Sequence, residues 1–167
     1  MSGVFGAYSK NNKSVLEEVY LGLYALQHRG QESAGIAWTE NGRVISKRGM
    51  GLLHNAIDQQ QLAEQSARCA IGHVRYVPIN GSARGPVAIS HDGLITNLKE
   101  LTKQLELRGA IFHSSTDSEA IIHLMAQKSH MLPIDALIDA LKSVEGSYAT
   151  VAMLGESLVA ARDRWGF

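Results

Sequence analysis

The side chains able to do chemistry in this chain are few, and most have a plain structural reading beside the functional one. There is one cysteine, Cys69. A lone cysteine invites a catalytic reading, but Cys69 opens the apolar run Cys69-Ala70-Ile71-Gly72, where a free thiol acts as a small buried hydrophobe. The seven histidines lack the spacing of a ligand set, so neither a metal nor another cofactor is expected. Arg75 closes a strand-like segment and Asp117 opens a helix-like one, which by themselves read as a surface charge and an N-cap. His91-Asp92-Gly93 reads as a turn, because Asp-Gly is a common hairpin dipeptide. Ser2 follows Met1 and is small enough for an aminopeptidase to remove Met1. A hydroxyl and a free α-amino group would then share one residue.

The elements that must position these groups follow from local patterns. Ser2 to Tyr8 is short, apolar and punctuated by glycine, as a buried strand is. Ser14 and Glu17 have capping-box spacing ahead of Val15, Val19, Leu23 and Leu26, which predicts an amphipathic helix ending near Gly30. Strands over 33–39 and 43–48 are joined through Glu40-Asn41-Gly42, with Asn-Gly supplying the positive φ angles of a tight hairpin. Asp58 and Gln61 cap a short helix, 68–76 is a buried strand, and 77–86 is a loop rich in glycine and proline. Asn97 with Glu100 caps a helix stopped by Gly109, and a short strand is expected at 110–113. Helices then start at Asp117 and around Pro133, and 147–154 with 158–162 form a closing hairpin. Strands come mainly in adjacent pairs with helices grouped between them, which points to antiparallel sheets covered by helices. Trp38 and Trp165 read as packing residues.

Composition narrows the classes further. The 167 residues suffice for one sizeable core, so a single domain over 1–167 is expected. Sixteen basic and sixteen acidic residues cancel without clustering, which argues against a nucleic-acid or anionic-membrane partner. No apolar stretch has the length of a spanning helix, no signal-peptide pattern opens the chain, and a single cysteine suits a reducing compartment. A cytoplasmic location is expected.

Several strings taken together resemble the class II glutamine amidotransferases, and within them the glutamine phosphoribosylpyrophosphate amidotransferase family. They are Gly3-Val4-Phe5-Gly6, the run from Leu21 to Ile36 with its Gln27-His28-Arg29-Gly30-Gln31-Glu32 core, and Ala70 to Tyr76. His91-Asp92-Gly93, Arg108 to Phe112, Thr116-Asp117-Ser118-Glu119 and Ala161-Arg162-Asp163 follow in the same order. The resemblance covers essentially the whole chain. It implies an α+β, four-layer αββα N-terminal-nucleophile hydrolase sandwich of two antiparallel sheets, shortened relative to the family. It also implies attack by the N-terminal residue on the glutamine side-chain amide, with the free α-amino group as base.

Carried over residue by residue, the resemblance makes Ser2 the nucleophile position, where the family has cysteine. That leaves open a natural loss of activity, a working serine variant and a replacement introduced to trap substrate. Asp92 stands where the family has an asparagine whose amide joins the Gly93 N–H in the oxyanion hole. An ionised aspartate offers no donor there. Arg75 matches the grip on the glutamine α-carboxylate, Tyr76 falls with it among the substrate-binding positions, Asp117 matches the partner of the α-amino group, and Arg29 matches a support beside the nucleophile. Pro78 replaces a threonine in a loop that returns early, so the cover over bound glutamine is expected to be missing or remodelled.

The expected function is therefore a type 2 glutamine amidotransferase domain of the purine-synthesis kind, weakened or inactivated by Ser2 and Asp92. The alternatives are a non-catalytic module that binds glutamine or a similar amino acid, and an active serine hydrolase of another amide. The family's phosphoribosyltransferase loops are not found in the sequence, so such a domain or subunit is an expected partner, and a homo-oligomer is expected.

Overall fold

The computed structural model describes residues 2–75, 80–81, 87–114 and 116–166. Two four-stranded antiparallel sheets dominate it. The first holds β1 (Gly3–Tyr8), β2 (Ser33–Glu40), β3 (Arg43–Met50) and β4 (Cys69–Arg75) in the order β1-β4-β2-β3. The second holds β5 (Asn80–Gly81), β6 (Val87–Ile95), β7 (Gly146–Leu154) and β8 (Ser157–Arg162), in sequence order.

Side-chain alternation along the strands creates the layers. On the outer face of the first sheet, Ala34, Ile36, Trp38, Ala70 and Val74 pack under α1 (Leu16–Ala25), α2 (Leu53–Ala56) and α3 (Gln59–Ala63). On the outer face of the second, Val87, Ile89, Ala152 and Leu154 meet α4 (Leu98–Leu107), α5 (Asp117–Gln127) and α6 (Pro133–Lys142). The inner faces meet through small and medium residues, among them Ala37, Cys69, Ile71, Ala88 and Met153. The result is an αββα sandwich. Cys69 belongs to that inner layer, and burial pushes its thiol up to about 11, so it is un-ionised at neutral pH.

Local signals were met unevenly. Asn41 and Gly42 take positive φ in the β2–β3 turn, and the Asp58 side chain accepts hydrogen bonds from Gln60 N and Gln61 N at the start of α3. The Ser14 capping box does not form: α1 begins at Leu16 without a side-chain cap, and Ser14 Oγ accepts from Ala67 N at 3.3 Å. Asn97 likewise leaves α4 uncapped and holds the Ser143–Glu145 segment through Ser143 O and Glu145 N. Residues 110–113 are not a strand. Their backbone is claimed by the Glu119 carboxylate, which accepts from His113 N at 2.7 Å and from Ser114 N at 2.8 Å. Trp38 is buried, whereas Trp165 is 67% exposed with the Arg164 guanidinium stacked over its ring at 4.2 Å, so only the first is a packing residue.

Close helix–sheet contact depends on residues without side chains. Leu23 of α1 is fully buried with its Cδ1 against Gly72 of β4, where an added Cβ would lie 2.6 Å away. Because neither neighbour can collapse into the space, Leu23→Ala should leave a cavity and lower unfolding free energy by about 2–5 kcal/mol. Denaturant unfolding measures this; a loss under about 1 kcal/mol would mean the layer repacks.

Candidate functional site

The first described residue lies where the two sheets share an edge. On β1, Gly3, Phe5 and Ala7 belong to the helix-covered side: a Cβ on Gly3 would meet Leu26, while Phe5 and Ala7 pack in the outer core. Ser2, Val4 and Gly6 therefore face the second sheet, and a Cβ on Gly6 would meet Val151 of β7. β6 answers in kind. Ser90 faces inward and its hydroxyl donates to Gly72 O across the sandwich at 3.1 Å, which puts Asp92, two residues on, on the same inner side.

Ser2 and Asp92 meet there. Ser2 is 6% exposed, and its backbone nitrogen donates to Asp92 Oδ1 at 2.7 Å. The other carboxylate oxygen accepts from Arg29 Nη2 at 2.9 Å, and Arg29 Nε donates to Ser2 O at 2.7 Å. One guanidinium and one carboxylate thus clamp both ends of the same residue. Arg29 is aimed by the short 3-10 turn Gln27–Arg29. Gln27 fixes that turn twice, donating to Gly30 O at 2.5 Å and accepting from Leu53 N at 2.7 Å. Gly30 lets it lie against β4, since a Cβ there would be 2.7 Å from the Val74 carbonyl.

Asp92 and Gly93 are strand residues, not a turn: they pair with Ala149 and Tyr148 of β7. The Asp-Gly signal fails because Gly93 has another use. Its φ of +136° places the backbone where a side chain would run into Ser147 O and sit 2.7 Å from Tyr148 Cα. Glycine permits a sharp local twist of β6 just after Asp92.

Arg75 ends β4, in register with Ser33, whose hydroxyl donates to Arg75 O at 3.0 Å. β1 pairs with β4 through Gly3 and Val74, so Ser2 and Arg75 are the next positions along that ladder. Asp117 begins α5 and is buried, and its Oδ2 accepts from Ile95 N at 2.9 Å, three residues along β6 from Asp92. It does not cap its own helix. Tyr76, Pro78 and the rest of that loop, apart from the two-residue strand Asn80–Gly81, lie outside the described residues.

His91 reports on the same neighbourhood from the opposite face of β6. It is buried, and among the described residues neither ring nitrogen has a hydrogen-bond partner. Burial pulls its imidazole below the ordinary value; Asp117 and Asp92 oppose this, and Arg75 adds to it. The charges of Arg75, Asp92 and Asp117 therefore all act on one ring. Sequence reasoning missed His91, and missed Glu119 as the anchor of the segment before Asp117. Burial alone would raise Glu119, but hydrogen bonds from His113 and Ser114, with His123 nearby, hold it below its usual value. The Thr-Asp-Ser-Glu string contained that signal without revealing its partners.

Two antiparallel sheets between helical layers, with the start of the chain clamped at their shared edge, define the N-terminal-nucleophile hydrolase class. The glutamine amidotransferase domain family matches residues 76–167. The chain belongs to this family, and within it is similar to the amidophosphoribosyltransferases. The amidophosphoribosyltransferase of Methanocaldococcus jannaschii is 38% identical across the whole chain, and that of Bacillus subtilis 32% identical across 96% of it. The solved B. subtilis glutamine phosphoribosylpyrophosphate amidotransferase, complexed with ADP and GMP, superposes with a TM-score of 0.86 at 32% identity over 98% of the chain, which covers 37% of that structure. A glutamine aminotransferase class-II domain protein from Silicibacter pomeroyi shares the fold, with a TM-score of 0.61 at 19% identity over 78% of the chain and 68% of its own. The chain spans 38% of the length of the M. jannaschii relative and 36% of the B. subtilis one.

His91 gives this site a pH signature. A histidine held neutral by burial binds its proton more readily unfolded, so stability is constant above about pH 6.5 and falls as pH drops below it. Each such group lowers unfolding free energy by at most about 1.4 kcal/mol per pH unit. Thermal unfolding between about pH 7.5 and about pH 5.5 should show the decline, and His91→Gln should flatten it. An unchanged slope in the variant would place the titration elsewhere.

Proposed function

We propose that this domain binds glutamine, or an amino acid close to it, and hydrolyses the side-chain amide slowly to supply ammonia to a phosphoribosyltransferase domain or subunit, as in purine synthesis. The observation that carries the reading is the clamp on Ser2 at the sheet edge, formed by Arg29 and Asp92 from two of the strings that mark the family.

The steps follow the family's chemistry. Ser2 Oγ attacks the amide carbon while its proton passes to the α-amino group of a chain begun at Ser2. Collapse of the tetrahedral adduct expels ammonia with that proton, and water then releases glutamate from the ester. Arg75 would grip the α-carboxylate through both oxygens, aided by Tyr76. The Asp117 oxygen that accepts no hydrogen bond among the described residues would take the α-ammonium. The Gly93 N–H would be left as the oxyanion donor from this segment.

Two features slow the reaction. A serine hydroxyl depends wholly on its base, where a cysteine is already partly ionised. Asp92 offers no hydrogen to the oxyanion, and losing one such donor costs about a hundred- to a thousandfold in rate. A second reading, a glutamine-binding regulatory module without turnover, is favoured by the engagement of both Asp92 oxygens with Ser2 N and Arg29.

Ammonia release and calorimetry separate the two readings. The unaltered chain should bind glutamine with slow turnover, Arg75→Ala should abolish the binding heat, and the Ser2→Cys, Asp92→Asn double variant should gain at least about a hundredfold in rate. Rapid release by the unaltered chain would overturn the weakened chemistry. Binding without any release, even in the double variant, would favour the regulatory module, and no binding in any form would remove both readings.

A further inference from the structure

Asp92 is placed to act on the base as well as on the oxyanion. Its Oδ1 is 2.7 Å from Ser2 N, in a part-buried contact. An ionised carboxylate can only accept, and in this arrangement it accepts from whatever protons the nitrogen carries. In a chain beginning at Ser2, the nitrogen is an α-amino group, which alone titrates near 7.7–8.0.

The charged groups around it pull in opposite directions. Arg29 from the turn after α1 opposes a positive charge on the nitrogen, but it touches Ser2 at the carbonyl oxygen and reaches the nitrogen only through the shared carboxylate. Arg75, next along the β4 ladder, opposes it as well. His73 lies two residues back on that strand, and His91 on β6 is held neutral by burial. Tyr148 on β7 is raised by its own burial, and by Asp163 beside it, and carries no charge near neutral pH. Since charge interactions fall with distance, the carboxylate in direct contact outweighs the two guanidinium groups. Because it is also paired with Arg29, its effect is smaller than that of a lone carboxylate.

We infer that Asp92 is the counter-ion of the Ser2 α-ammonium and keeps it protonated at neutral pH, so the amine becomes a base only in alkaline solution. Asp92 is thus a positioning residue that acts through the α-amino group. The functional consequence rests on the proposed nucleophile role of Ser2; the protonation itself does not.

The test uses the full chain, with Met1 removal verified by mass spectrometry, and follows the Ser2 carbon and nitrogen resonances by NMR across pH without glutamine. The α-amino midpoint should lie about one unit above the ordinary range, and Asp92→Asn should weaken proton affinity about tenfold, returning the midpoint to that range or below. Arg29→Gln, which removes an opposing cation, should raise it further. A native midpoint within or below the ordinary range, an unchanged midpoint in Asp92→Asn, or retention of Met1 would overturn the inference. If Asp92→Asn does not fold, the native midpoint and Arg29→Gln decide it. Because no substrate is present, a failed glutamine assay leaves this result standing, and a normal midpoint leaves the binding and turnover tests intact.

Discussion

The arrangement depends on a carboxylate that ties the two sheets together at their edge. Asp92 belongs to the second sheet, Ser2 leads into the first, and Arg29 stands at the end of the helix that covers the first. The two oxygens of one side chain hold a nitrogen of one partner and a guanidinium of the other. Removing either partner would leave the carboxylate part-buried and under-satisfied, so the three residues form one unit and not three separate contacts. In the family reading an amide stands at this position and donates toward the substrate; a carboxylate there turns inward, toward the protein's own nitrogen.

The approach of the sheets that makes this contact possible is set by small residues. Gly6 on the first sheet and Ala88 on the second keep the inner layer thin, and Ser90 reaches across it to Gly72 O. Where the sheets meet, the helical layers contribute through their ends. The turn after α1 delivers Arg29, and the start of α5 delivers Asp117 to the backbone of β6. Glu119 settles the entry to α5 by accepting from the backbone N–H groups of His113 and Ser114. Buried charge is tolerated here because it meets backbone N–H groups.

Much of the fold was legible in short-range patterns. The β2–β3 hairpin, the Asp58 cap, the closing β7–β8 hairpin and the helix beginning at Asp117 depend on interactions within a few residues, which local residue types specify. The family strings point to Ser2, Arg29, Arg75, Asp92, Gly93 and Asp117, of which Ser2, Arg29 and Asp92 meet in one contact. The errors share a cause. Ser14 and Asn97 each had a plausible local partner and took a distant one instead, because the packed sandwich offered a backbone group that needed satisfying, while the 110–113 segment lost its strand to a side chain six positions past His113.

The sequence alone therefore determined the alternation that builds two helix-covered antiparallel sheets and the family, and under that resemblance it sets a hydroxyl where a thiol is expected and a carboxylate where an amide is expected. Only the tertiary structure decided what that carboxylate does. Ser2 and Asp92 are 90 positions apart, and nothing near either one specifies the other. Their contact exists because two sheets with thin inner faces stack in one register, and Gly93 twists β6 beside β7 just past Asp92. Residue types record which groups are present, while their distances and hence their charge states follow from packing across the whole chain.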